Sequence, residues 1–263
     1  LAEGKMPAAT AASRGRGEQP LDEHHLESFT LVDGLPRWRY RLDGAVIEKR
    51  VLMPHAQNAV HVTWRLLAGD RLTLLLRPIV GFRPHEHAVT ETVTSGYVLT
   101  IHQNRLEVAS DKGFDARLRF LLHARSGDFV VDHLALEDVP YLTEQHRGYE
   151  ATGALWSPGR FRAELDDESA VTIVAASEPW EEMAAAPPDD VERREIARRR
   201  ALIARAIAAN GRAIEPEQLV LAADQFVVLP SARVDQGQVP GQLVWAGAVG
   251  DAVAVEDPRG TAT

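Results

Sequence analysis

No cysteine occurs in the 263 residues, so the chain can form neither a disulfide framework nor a thiolate metal site. That permits a reducing compartment, and the cytoplasm is the expected location. Also missing is any apolar run near the ~20 residues of a membrane span, and the N-terminus has no signal-peptide core. A membrane partner is not expected. Basic residues are in deficit, 29 Lys and Arg against 38 Asp and Glu, for a net charge of -9. A phosphate backbone selects clustered cations, so nucleic acid is not an expected partner either. Residues 1–20 hold almost no large apolar side chains. They cannot offset ordering entropy by burial, and a disordered tail is expected there. Leu1 in the place of Met points to a piece of a longer chain. What is present is a globular composition, 45% apolar, enough for one large or two small domains.

The stretch from Ala59 to Val80 organises the rest. Two apolar-rich runs flank Ala68-Gly69-Asp70 and read as a β-hairpin. In the first run Val60, Val62, Trp64 and Leu66 share one face and His61, Thr63 and Arg65 the other, the period of two of a half-buried strand. The second run puts Leu72, Leu74 and Leu76 on one face before Arg77-Pro78 ends it. Upstream, Ser28–Val32, Trp38–Leu42 and Val46–Leu52 are joined by Asp33-Gly34 and Asp43-Gly44, a dipeptide whose readiness for positive φ favours tight hairpins. Downstream, Val89–Thr94, Val98–His102, Arg105–Ala109, Ala116–His123 and Asp128–Leu134 continue the pattern between turn residues. Roughly ten short strands with connections too short for parallel crossovers predict an antiparallel sandwich. Tyr141–Phe161 breaks the alternation and reads as a long loop, before a closing pair at Ala163–Leu165 and Ala170–Ala175.

After Pro187-Pro188 the period changes to helical. Asp189 or Asp190 can cap, Ile196, Ile203 and Ile207 line a narrow face, and Asn210-Gly211 stops the helix. With Arg193, Arg194, Arg198, Arg199, Arg200 and Arg205 on it, this is a partly exposed linker whose charges read as a solvated face. A second helix is expected from Pro216 through Phe226. From Leu229 onward neither period holds.

Candidate chemistry is sparse. His85-Glu86-His87 has a spacing used by metal sites, but no third ligand is specified, and ordinary surface histidines are the simpler reading. No metal and no organic cofactor is expected. Glycosidic hydrolysis needs two carboxylates across a cleft, and Glu144, Glu150, Asp166 and Asp167 are available without any being singled out. Aromatics could stack on sugar rings, although Trp38 and Trp64, in strands, read as core. Trp156, in the irregular stretch, is open to either role. Glu144 and Arg147 read first as a buried pair that fixes the loop. No nucleophile elbow, phosphate-cradling glycine loop or dinucleotide fingerprint occurs.

Eight segments, in order and spacing, carry a resemblance: His25-Leu26-Glu27-Ser28-Phe29, Trp38-Arg39-Tyr40, Ile47-Glu48-Lys49-Arg50-Val51, Gln57-Asn58-Ala59-Val60, Leu74 to Arg83, Arg147-Gly148-Tyr149, Trp156-Ser157-Pro158-Gly159 and Leu221-Ala222-Ala223-Asp224-Gln225-Phe226. Over residues 21–229 they are similar to the bacterial and archaeal type of glycogen debranching enzyme. The resemblance implies an N-terminal β-supersandwich followed by an (α/α)6 barrel with amylo-α-1,6-glucosidase activity on α-glucan. It divides the chain into a tail (1–20), a sandwich (21–186), a linker helix (187–212), the start of the barrel domain (213–229) and a divergent, poorly ordered tail (230–263). Ala246-Gly247-Ala248-Val249-Gly250-Asp251 lacks the aromatics and Arg of the family's glucan-site segment, so a fragment or a gene product truncated or frameshifted near residue 240 is expected. The family's catalytic acid and base lie downstream in the barrel, and no catalytic residue carries over. Arg147, Tyr149 and Trp156 are the substrate-contact candidates. The alternative role is an independent carbohydrate-binding module or a purely structural sandwich.

Overall fold

The computed structural model describes residues 18–20, 23–42, 44–83, 87–92, 96–111, 117–211, 217–227 and 252–256. Two antiparallel sheets dominate. The larger has eight strands: β2 (Leu26–Val32), β3 (Leu35–Leu42), β4 (Ala45–Leu52), β5 (Ala59–Ala68), β7 (Tyr97–His102), β8 (Arg105–Ser110), β9 (Arg117–His123) and β12 (Val171–Ala176). Their spatial order is β2-β3-β4-β5-β12-β9-β8-β7. The smaller has β1 (Glu18–Pro20), β6 (Leu72–Arg77), β10 (Gly127–Pro140), β11 (Thr152–Leu165) and β13 (Ala252–Glu256), in the order β1-β13-β6-β11-β10. One core lies between them, built from Trp64, Leu66, Phe120 and Leu122 of the larger sheet against Leu74, Leu76, Phe161 and Leu165 of the smaller. The predicted mainly-β sandwich is what forms.

The Asp-Gly turns behave as their chemistry dictates. Asp33 and Gly34 take φ of +53° and +72°, joining β2 to β3 in register. The Ala59–Val80 hairpin does not form. β5 has β4 and β12 as its neighbours, while β6 lies in the other sheet beside β11 and β13, so residues 69–71 arch from one sheet to the other. The physical reason lies in β6, where Leu72, Leu74, Leu75 and Leu76 are all buried. A strand apolar on both faces belongs inside a covered sheet rather than at a hairpin edge. The expected closing pair is corrected in the same way: β11 and β12 belong to different sheets. Asp166 holds that crossing, its Oδ1 accepting from the Ser169 hydroxyl (2.8 Å) and the Ser169 and Glu168 amides.

Three further expectations change. Val89–Glu91 is a 3-10 turn, not a strand. The supposed long loop is a short helix, α1 (Leu142–His146), followed by the fourteen-residue β11. The pattern of β11 was masked because it pairs with a bulged partner: register slips between Val131 and Leu134, opposite Ser157 and Gly159. Pro158, which has no N–H to give, sits at that slip. Gly159 (φ +155°) is required there, since a Cβ would run into the backbone of Val130 and Asp132. At the ends, Glu18–Pro20 and Ala252–Glu256 are paired strands, so neither expected disordered tail extends over those residues. The rest of 1–20 and of 230–263 lies outside the described residues.

The helices follow: α2 (Trp180–Met183), α3 (Pro188–Asn210) and α4 (Gln218–Asp224). α3 begins with Pro188 at its first position and has no side-chain cap, so Asp189 and Asp190 act as first-turn charges rather than caps. Gly211 stops it at φ +69°. α4 is shorter than expected and ends before Phe226.

Candidate functional site

Three places could act. The first is the loop around α1. Its base is closed by the Tyr141 amide donating to Ala151 O (2.8 Å) and its far side by the Tyr149 amide donating to Glu144 O (3.0 Å), with Gly148 at φ +77° between them. This frame leaves Tyr149 67% exposed. Arg147 reaches Glu144 at 3.7 Å, but its side chain is exposed, so the expected buried pair is a surface pair. Glu150 accepts from the Thr90 hydroxyl at 2.6 Å, tying the loop to the 3-10 turn.

The second is Trp156. Its backbone pairs with Val80, and its ring stacks on Tyr97 at 4.4 Å and 6° between planes, with His133 tilted against it at 5.4 Å. It is half-buried against the core. The structure therefore keeps Arg147 and Tyr149 on one loop and gives Trp156 to the sandwich interior, where Tyr97 covers a face of the ring. Burial pushes the Tyr97 hydroxyl up to about 12.

The third is the helical arm. α3 crosses one end of the larger sheet, with Glu192 on Arg50 (3.0 Å), Asp189 on Arg65 (2.6 Å) and Arg200 on Asp33 (2.8 Å). Arg198 holds α4 through Asp224 at 2.8 Å. On α4 Leu219 is exposed, and just past the helix end Phe226 is 86% exposed with Val227 also exposed. Beside the arm, β2 shows Phe29 (52% exposed) tilted against Trp38 at 5.2 Å, with Lys49 over the Trp38 ring and its amine pulled down to about 8 by burial. Sequence reasoning missed this edge because it assigned Trp38 to the core; the alternation of Phe29 and Leu31 was the available signal.

These places offer little acid-base chemistry. Hydrolysis of a glycosidic bond needs a carboxyl held protonated near neutrality. The carboxyls that are clearly displaced go the other way: Ser169 holds Asp166 low, Arg200 holds Asp33 low, and at Glu195 burial is outweighed by Arg198 and Arg199. His85 and Glu86 lie outside the described residues, and His87 bonds Glu91 at 2.8 Å. Among the described residues no cluster of three His, Cys, Asp or Glu could hold a metal.

The family described as glycogen debranching enzyme N terminal matches residues 9–172, more than half of the chain. The chain belongs to this family. The glycogen debranching N-terminal region so defined ends in β12 and includes the α1 loop, Trp156 and the Phe29–Trp38 edge, leaving α3 and α4 outside it. No curated protein matches. One solved structure, a bacterial glucoamylase complexed with acarbose, shares 10% identity at a TM-score of 0.36 over 72% of this chain, and the chain spans 29% of its length. The family assignment does not rest on that likeness. The debranching-family segment Arg77-Pro78 has a structural role: Arg77 is 6% exposed and donates to Asp132 O at 2.8 Å and to the Asp132 carboxylate, clamping the β10 bulge.

Proposed function

We propose that this chain is the non-catalytic N-terminal region of a glycogen debranching-type glycoside hydrolase, in which it packs on an (α/α)6 barrel acting on α-glucan and helps to shape the cleft. The parent activity would be amylo-α-1,6-glucosidase. The observation that carries the reading is the arm: a helix anchored to the sandwich by ion pairs leads to a short helix that exposes Leu219 and is followed by exposed Phe226 and Val227. Apolar side chains so placed mark an interaction surface. In this reading 21–186 is the sandwich, 187–212 the linker and 213–229 the entry to the barrel domain. Tyr149 and Arg147 project from a closed loop and contact glucan at the cleft rim, while Trp156 supports that end from inside. No helix among the described residues is long and apolar enough to cross a membrane; with no cysteine to oxidise, a cytoplasmic setting suits the chain.

A second reading, an independent carbohydrate-binding module, is favoured by the Phe29–Trp38 pair on an open sheet edge. Affinity electrophoresis of the chain in glycogen-containing gels separates the two. Retardation lost in Tyr149→Ala and kept in Phe29→Ala supports the cleft-rim role; the reverse supports the module and overturns the rim assignment.

A further inference from the structure

A soluble helix usually docks through an apolar stripe. In α3 the one buried side chain of 23 residues is a carboxylate, Glu195, 5% exposed. Ile196, Leu202, Ile203 and Ile207 are only half-buried. Around Glu195 the bonds radiate to both partners of the joint: it accepts from Arg198 (3.0 and 3.1 Å) and Arg199 (2.8 Å) on its own helix and from the His55 amide (3.4 Å) of the sandwich. Each arginine then reaches further. Arg199 donates to Gly34 O at 2.9 Å in the β2–β3 turn, and Arg198 to Asp224 at 2.8 Å in α4. Arg200–Asp33, Glu192–Arg50 and Asp189–Arg65 complete the contact. Gly34 has no side chain where Leu221 of α4 comes in, so the same turn seats both helices.

We infer that α3 and α4 form one electrostatically latched arm, keyed by Glu195, which salt releases from the sandwich while both sheets stay folded. The logic is one of competing strengths. The exposed pairs Arg200–Asp33 and Asp189–Arg65 weaken as ionic strength rises, with a screening length falling from about 10 Å at 0.1 M to about 3 Å at 1 M, whereas the buried Glu195 is screened much less. The apolar interior between the sheets does not weaken under the same change. The arm is thus the part of the molecule whose attachment responds to salt, and its direction is set by where Glu195 finds the His55 amide. A helix set free loses most of what keeps it helical, because helical stability in proteins comes chiefly from docking.

Amide hydrogen exchange on the whole chain tests this, with β5 and β12 as internal standards. Between 0.05 M and 1 M NaCl, exchange in 188–210 should accelerate roughly tenfold while the strands hold their protection, since several modest ion pairs act together. Glu195→Gln should bring the same acceleration at low salt. Asp33→Arg alone should accelerate exchange, and Asp33→Arg with Arg200→Asp should restore protection. Exchange in α3 that ignores salt, a Glu195→Gln chain like the parent, or strands that open in step with the helix would each overturn the latch.

Discussion

At the scale of single residues, the buried polar groups decide the sharpest outcomes. Arg77 is the only arginine among the buried side chains of the described residues, and its guanidinium serves Asp132 and the β10 backbone. Arg77→Met removes the buried partner and leaves Asp132, itself part exposed, with Arg160 at 3.8 Å, so a loss of about 2 kcal/mol is expected, with urea unfolding as the measure. His61 and His123 share the outer face of β5 and β9, each with a buried ring nitrogen that has no partner among the described residues. Burial and then the neighbouring His123 pull His61 down to about 4, and burial lowers His123. Both are neutral in the fold. Above pH 6.5 they are neutral unfolded as well and have no effect; as pH falls from 6.5 towards 4 the unfolded chain takes up protons that the fold refuses. Stability should fall across that window, with roughly 3 kcal/mol from His61 at 1.36 kcal/mol per unit. Asp33 and Asp166, held low, keep their contribution through that window, whereas Glu195 begins to lose its contribution as pH falls below its ordinary 4.5, near the acid end of the window. A His61→Leu variant should flatten the melting temperature between pH 6.5 and 4; a curve that keeps the parent's slope would refute the assignment.

At the scale of elements, the short connections were legible and their destinations were not. Asp33-Gly34 and Gln103-Asn104 close the hairpins β2–β3 and β7–β8 as their residue types demand. Gly69 and Asp166–Ser169 are equally turn-like, yet they carry the chain between sheets, because β6 and β11 are apolar where both faces are covered. Nothing local distinguishes a two-strand hairpin from such an arch. The fourteen-residue β11 was hidden by Gly153, Pro158 and Gly159, residues that a bulged pairing needs and a regular strand rejects. Gly159→Ala should therefore cost about 2 kcal/mol through the collision with Val130 and Asp132, more than a turn glycine at φ near +70° would. Differential scanning calorimetry of Gly159→Ala beside Gly211→Ala, whose Cβ would meet open space, measures the contrast.

For the whole molecule, the functional expectation is that the purified chain releases no glucose from a branched limit dextrin. Two carboxylates must stand a fixed distance apart across a sugar, one of them protonated near neutrality. Glu144 and Glu150 are instead taken up by Arg147 and Thr90. Turnover abolished by Glu144→Gln or Glu150→Gln, with no other protein present, would move the active site into the α1 loop. Of the candidate site, the sequence pointed to the loop bearing Arg147 and Tyr149 but not to the inward turn of Trp156, because stacking on Tyr97 joins strands 59 residues apart. The sequence by itself determined the β period, the Asp-Gly turns, the switch to helix after Pro188 and the family, since each is written in near neighbours or ordered motifs. Only the tertiary structure decided which strands share a sheet, that β13 closes against β6, and that arginines read as a solvated face latch α3 to the sandwich. Those outcomes depend on which surfaces meet across long stretches of chain, and no local period encodes that.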